Sequence, residues 1–285
     1  MTHTTPLANN LESRIRRSMD VGLASEQTSH RAFAGVSAVL FATSAALTIV
    51  WCASMSAMRG MPMAGGWTMS MVWMRMPGQT WLGAAASFLG MWVVMMVAMM
   101  MPSLVPMLWG YREAVGTTGK TRLDRLTALV GVGYFFVWTL FGMAVFPLGV
   151  GLAAVEMQRP ALARVIPIAV GAVVLIAGAL QLSAWKTRHL ACCRELPRRG
   201  YTLPADAGTA WRHGLRLGLH CTHCCANLMA ILLVIGVMDI RAMAFVTAAM
   251  TVERLAPAGE RVARAIGAIV VGAGLFLIAR AAGLG

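Results

Sequence analysis

Four stretches of the chain, Ala32–Cys52, Trp81–Trp109, Leu126–Val155 and Val165–Trp185, run for at least 21 residues without an Asp, Glu, Lys or Arg. About 20 apolar residues in a helix cross the ~30 Å hydrocarbon layer of a bilayer. A backbone inside lipid must also hydrogen-bond to itself, and for a single segment only a helix achieves that. The chain is therefore predicted to be an all-α, polytopic transmembrane helical bundle. Three weaker stretches follow, at about Gly214–Met238, Ala242–Ala256 and Ala263–Ala279; the middle one is short and holds Glu253. They bring the count to about seven spans, or six if the short one does not cross. The composition agrees, with 58% hydrophobic and 12% charged residues, far from the mix of a soluble domain.

A net charge of +13 raises the question of a nucleic acid partner, and its distribution answers it. With seven spans and the N-terminus in the cytoplasm, 18 of the 24 Lys and Arg residues fall on inside segments. Only Arg59, Arg75, Arg159, Arg164, Arg241 and Arg280 fall outside. That is the positive-inside pattern, so the basic balance reports topology, and no nucleic acid is expected. Residues 1–30 are polar without sustained helical periodicity and are expected to form a mobile cytoplasmic tail, with residues 31–285 forming the bundle. The bundle carries a methionine-rich outer loop at 53–80 and a Cys/His-containing inner loop at 186–213, where Pro197 and Pro204 oppose continuous helix. Small residues such as Gly131, Gly133, Gly149 and Gly151 are expected where helices approach closely.

Residues 219–229 read LHCTHCCANLM, in a stretch otherwise suited to lipid. Helical residues three and four apart share a face, which groups His220, Cys221, Cys224 and Cys225, with Met229 a turn beyond and His223 to one side. Thiolate and imidazole are the donors that Cu(I), Zn(II) and iron favour. A single buried cysteine is also a good small hydrophobe. Five soft donors in six positions inside lipid, where polar groups are costly, point to function instead. One helix cannot enclose an ion, so other spans must contribute. His189, Cys192 and Cys193 follow the fourth span, and antiparallel packing would carry His189 and Cys193 toward the level at which the fifth span enters. A reducing compartment argues against structural disulfides there.

Methionine supplies a second signal. In the second span Met95 and Met99, and Met96 and Met100, are spaced four apart and form a stripe; methionine also fills irregular cores, so packing explains the stripe equally well. Pro102 removes a donor, frees the carbonyl of Ala98 and predicts a kink, with Ser103 compensating in part. The outer loop holds Met55, Met58, Met61, Met63, Met69, Met71, Met74 and Met76. A thioether is a soft ligand that needs no deprotonation, which suits capture of Cu(I) on an oxidising face; a contact surface for a partner is the other reading. Of the acids, Asp239 is expected to cap a helix or pair with Arg241. Glu253 is expected to pair with Arg254 or Lys186, or to balance a bound cation. No nucleophile with a base, glycine-rich phosphate loop or carboxylate pair is present, so no catalytic residue is assigned.

Three blocks carry a family likeness: MMVAMMMPS (Met95 to Ser103), QLSAWKTRHLACCRELP (Gln181 to Pro197), and GLRLGLHCTHCCANLM followed by GVMDIRAMAFVTAAMTVERL. Through them the chain, over roughly Trp81 to Gly274, resembles a family of predicted metal-binding integral membrane proteins known as domain of unknown function 2182. Lys186, Cys193, Arg194, Pro197, Cys221, Cys224, Cys225, Leu228, Met229, Met238 and Glu253 fall on that pattern. The family commonly has cysteine at the position of His189, glycine at that of His223 and tryptophan at that of Ala226. The resemblance implies metal binding and leaves the ion open. Together with the residues it gives the expectation of a multi-pass protein of the bacterial inner membrane. It would hold a soft transition metal, Cu(I) before Zn or Fe, between the second, fourth and fifth spans, for handling, delivery or transport. Besides the lipid bilayer, its expected partner is a metallochaperone or a metal-receiving membrane protein. A membrane thiol or metal-dependent oxidoreductase, and a structural subunit, are the competing readings.

Overall fold

A computed structural model describes the backbone of residues 6–57, 60–63, 66–116, 119–194 and 202–283, with the side chains of 6–15, 18–27 and 192–194 left out of the description. Among the described residues there are eight helices: α1 Pro6–Ala57, α2 Trp81–Val115, α3 Lys120–Gln158, α4 Pro160–Leu182, α5 Ala184–Arg194, α6 Ala207–Ile235, α7 Ile240–Leu255 and α8 Gly259–Ala281. The one strand pairing joins β1 Met61–Pro62 to β2 Thr68–Met69, antiparallel, with Met61 opposite Met69. The chain is an all-α bundle. Six of its helices, all but α5 and α7, are long and apolar enough to cross a membrane, which makes it a multi-pass membrane protein.

The contacts show which way each helix runs. Ser29 of α1, the end of α2 and the starts of α3 and α6 meet at one end of the bundle, here the basic end, whereas α4 runs the same way as α2 but stops deeper, with Gln181 near its end against Asn227 of α6. The segment between α1 and α2 lies at the other, the methionine-rich end. α7 is only 16 residues long, about 24 Å at 1.5 Å per residue, which is below a full crossing. It nevertheless joins the two levels. Met243 near its start lies against Cys52 at the far end of α1, and Arg254 near its finish lies against Cys221 and Ser103.

Local sequence explains the boundaries. Thr80, Asp206 and Asp239 precede α2, α6 and α7, and each accepts a hydrogen bond from a backbone N–H of the first turn, at Gly83, Thr209 and Ala242. Side-chain oxygens there satisfy donors the helix cannot. Asp239 is thus a cap, one of its two expected roles. Two expectations change. Helix α1 is continuous from Pro6, so residues 6–30 are helical and lead into the first span where a mobile tail was expected; once a long apolar helix is nucleated, each added residue gains a hydrogen bond at little cost. Helix α5 occupies 184–194 and α6 starts at 207, so most of the expected 186–213 loop is helix, with only 195–206 between.

Glycine sets the closest helix contacts. A Cβ on Gly178 of α4 would lie 2.8 Å from the backbone nitrogen of Val271 on α8, and one on Gly274 of α8 would lie 2.7 Å from that of Leu175. With Gly171 beside Ile278 and Gly267 beside Leu182, α4 and α8 pack antiparallel along their length. On α3 and α6, Gly133 meets the carbonyl of Trp211, Gly214 that of Val130, and Gly218 that of Tyr134. Backbones can approach this closely only where a side chain is absent. Of the predicted small contacts only Gly133 meets another helix of the bundle; Gly149 instead makes room for the Trp73 ring from the segment between α1 and α2, and Gly131 and Gly151 face open space.

Candidate metal centre

The α3–α6 glycine contact puts Tyr134 one turn from the first cysteine of the LHCTHCCANLM stretch. Its hydroxyl lies 2.9 Å from Cys221 Sγ. Helix α2 supplies Met100, whose Sδ is 4.0 Å from the same sulfur. From α7, Arg254 donates through one guanidinium nitrogen to Cys221 Sγ at 2.8 Å and to Cys225 Sγ at 3.1 Å, and through the other to Ser103 Oγ at 3.2 Å. Two thiols, a thioether, a phenol, a hydroxyl and an arginine from four helices therefore meet in one place. Cys221 and Cys225 are each 1% exposed.

A polar chain lies beside them. Lys186 Nζ donates to the carbonyl of Cys224 at 2.8 Å and forms an ion pair with Glu253 at 2.8 Å. The other Glu253 oxygen accepts from the Gln181 amide, and Gln181 in turn accepts from Asn227. Among these groups Asn227 Oδ1 and Arg254 Nε are buried without a hydrogen-bond partner. Of the partners expected for Glu253, it pairs with Lys186. Arg254, one residue on, is committed to the thiols. Two cations that read as topological markers in the sequence are thus buried in the centre.

The predicted ligands divide. Cys221 and Cys225 face the centre; Cys224 is buried beside them, its carbonyl on Lys186. His220 and His223 are exposed on the other side of α6, so the grouping of His220 with the three cysteines is corrected. Round the helix His220 lies roughly 100° from Cys221 and 140° from Cys225, and His223 roughly 160° from both, whereas α2, α3 and α7 meet the cysteines. His189 does not face the thiols either. Its ring stacks on His223 at 6.0 Å and lies 4.4 Å from Trp185. The Nδ1 atoms of His189 and His223 lie 2.9 and 2.8 Å from the carbonyls of Trp185 and Leu219. The side chains of Cys192 and Cys193 lie outside the described residues.

In α2, Met95, Met96, Met99 and Met100 are all buried, and so is Met101. The predicted stripe is the buried side of the helix: Trp92, Met95, Met96, Met99, Met100 and Ser103 are buried at helical spacing, and Val93, Val94 and Val97 beside them are only half-buried. Met100 is the one placed against a thiol; Met95, Met96, Met99 and Met229 fill the surrounding core. Ser103 donates to the carbonyl of Met100 at 3.1 Å, not to that of Ala98, and accepts from Arg254. Among the described residues no group of three or more His, Cys, Asp or Glu could hold an ion.

At the methionine-rich end, Met55, Met71, Met74, Met76 and Met91 line a cleft of about 150 Å³ together with Gln79, Ser87 and Phe88. Met91 comes from α2, where its place in the sequence gave no hint. Met61, Met63 and Met69 lie in or beside the short strand pair, and Met58 lies outside the described residues.

Residues 89–277 match the model of the PpoB2 family, described as a copper chaperone. The chain belongs to that family. The match spans nearly the stretch on which the sequence resemblance rested and makes the chain's function copper-related. It takes in every residue named in the thiol centre, all of α4 and α8 as far as Leu277, while the part of the methionine-rich end before Leu89 lies outside it. No match was found among the curated proteins or the solved structures.

Proposed function

We propose that the protein holds one Cu(I) between Cys221, Cys225 and Met100 and delivers it to a partner from the basic end, which faces the cytoplasm. The observation that carries this reading is the placement of Arg254 on both thiols. Arg254 has no carboxylate within ion-pair distance among the described residues, because Glu253 is matched to Lys186. A buried charge needs a partner. Two thiolates and a monovalent copper sum to −1, which the guanidinium brings to zero. With Zn(II) or Fe(II) the same set stays at +1. Without metal, one thiolate and one thiol beside Arg254 are also neutral. The site thus exchanges a proton for Cu(I) at constant charge.

The donor set agrees with this ion. Thiolate and thioether are soft ligands that select Cu(I) over oxygen-seeking cations. Two sulfurs bonded at about 2.3 Å to one ion lie no more than ~4.6 Å apart, and the 4.0 Å between Cys221 and Met100 falls inside that limit. The hydrogen bonds that Cys221 shares with Tyr134 and that both thiols accept from Arg254 hold the sulfurs in position, as the groups behind metal ligands do elsewhere. A thiol–disulfide exchanger needs a sulfur its substrate can reach, and the burial of Cys221, Cys224 and Cys225 favours holding over exchange. The test is Cu(I) titration of the detergent-purified protein under anaerobic conditions. The Cys221→Ser/Cys225→Ser variant should bind one equivalent fewer than wild type, with Met100→Leu weakening the same equivalent. Equal binding by all three proteins would refute the assignment.

A further inference from the structure

Cys52 is the last buried residue of α1, far from the other described cysteines. Gly236, at φ 139°, ends α6 in a conformation that side chains disfavour and turns the chain. Asp239 then starts α7 by accepting from Ala242 N at 2.9 Å. Between these two, Met238 places its Sδ 3.9 Å from Cys52 Sγ, and Met243, one turn into α7, places its Sδ 3.8 Å from the same atom. Three sulfurs from α1, a turn and α7 meet at residues that are at most 9% exposed. One turn along from Cys52, Met55 lines the open thioether cleft.

The geometry points to a second soft-metal site, Cys52 with Met238 and Met243, which receives Cu(I) from the thioether cleft at the methionine-rich end. In a three-coordinate site with metal–sulfur bonds of about 2.3 Å, neighbouring sulfurs are ~4.0 Å apart, and both spacings from Cys52 are close to that. One thiolate, two thioethers and a monovalent copper are neutral, so the ion can sit in an apolar setting without a counter-charge. A divalent ion would leave a net +1 there, which burial opposes. Neither histidine nor a second cysteine is needed, and a thiol buried alone has no cysteine beside it with which to oxidise to a disulfide. The site rests on the reading that this protein carries Cu(I), and it adds a station at the end opposite Cys221 and Cys225.

Anaerobic titration of the full-length protein with Cu(I) against a colorimetric chelator separates the two sites. Cys52→Ser should bind one equivalent fewer than wild type. So should Met238→Leu/Met243→Leu, in which leucine conserves volume and spares the fold. Both variants should keep the equivalent that Cys221→Ser/Cys225→Ser loses. X-ray absorption of copper in the Cys221→Ser/Cys225→Ser protein should show sulfur neighbours only. Unchanged stoichiometry in Cys52→Ser and in the double methionine variant, or nitrogen neighbours in the absorption spectrum, would overturn this site alone. Loss in those variants with none in Cys221→Ser/Cys225→Ser would support it while refuting the reading of the basic end. A wild-type protein that binds no Cu(I) would refute both.

Discussion

Lys186→Met tests the buried polar chain most directly. The side chains of Lys186 and Glu253 are 0% and 2% exposed and their charged atoms 2.8 Å apart. Removing the ammonium leaves Glu253 with the Gln181 amide on one oxygen and nothing to replace Lys186 on the other. Breaking a buried pair from one side costs about 3–5 kcal/mol, whereas replacing both partners by neutral groups of similar size is often close to neutral. Lys186→Met should therefore destabilise by about 4 kcal/mol, and adding Glu253→Gln should recover most of it. At ~2–4 °C per kcal/mol for chains of this size, the single variant should melt about 10 °C below wild type in detergent. The nine tryptophans provide the fluorescence readout, and the two single variants with the double variant complete a cycle. A Lys186→Met protein within about 1 kcal/mol of wild type, or a double variant no more stable than the single, would refute the idea that Glu253 depends on this ammonium.

Arg254→Met should lower Cu(I) affinity by roughly 10–100-fold, the usual effect of losing a group that supports metal ligands. Arg254→Lys should restore only part of it, because an ammonium lacks the guanidinium fork; equal affinity for all three proteins in chelator competition would refute the role. Charge balance at the thiol centre predicts one proton released per Cu(I) bound there, measured by pH-stat titration of Cys52→Ser, and a count of zero or two would contradict it. Gly178→Ala should cost about 1–3 kcal/mol by overpacking against α8, while Gly131→Ala, with nothing within 4 Å of the new atom, should be neutral or stabilising; thermal melts compare them. Hydrogen bonds from the Thr209 side chain and backbone hold the Asp206 carboxyl below the usual aspartate range. Its capping contribution is complete above that range and is lost as pH falls through the lowered value, so amide exchange at residues 207–209 should quicken only well below about pH 4.

Much of the bundle was legible because lipid permits few solutions. A long uncharged run can only be a helix there, and each predicted span falls on a helix with ends within about seven residues, except that α1 begins 26 residues before its span. The cysteines were legible as a group, since soft donors are out of place in hydrocarbon. Their partners were not. Periodicity gives the angle of Cys221 relative to His220, but which side meets α2, α3 and α7 depends on Gly214 and Gly218 closing on α3, a contact between distant segments. Lys186 and Arg254 were hidden for a different reason. Each sits near the end of an apolar run, where a cation ordinarily marks the membrane surface, and only tertiary packing shows that both point inward. Cys52 and Met243 are 191 positions apart, and nothing local to either announces the other.

The shortness of α7 has a consequence for the surrounding lipid. Phe245, Val252 and Leu255 turn outward from this helix, each more than 40% exposed, so it presents an apolar belt of about 24 Å to a hydrocarbon layer of ~30 Å. Hydrophobic mismatch of this size is relieved by local thinning, at a fraction of a kcal/mol per Å. A helix this short is therefore predicted to draw the two lipid surfaces together on its flank, which would shorten the low-dielectric distance beside α7 relative to the full-length helices. If the protein handles copper as proposed, lipid chain length is predicted to be one of its variables, with thin bilayers favouring the short helix and thick ones opposing it.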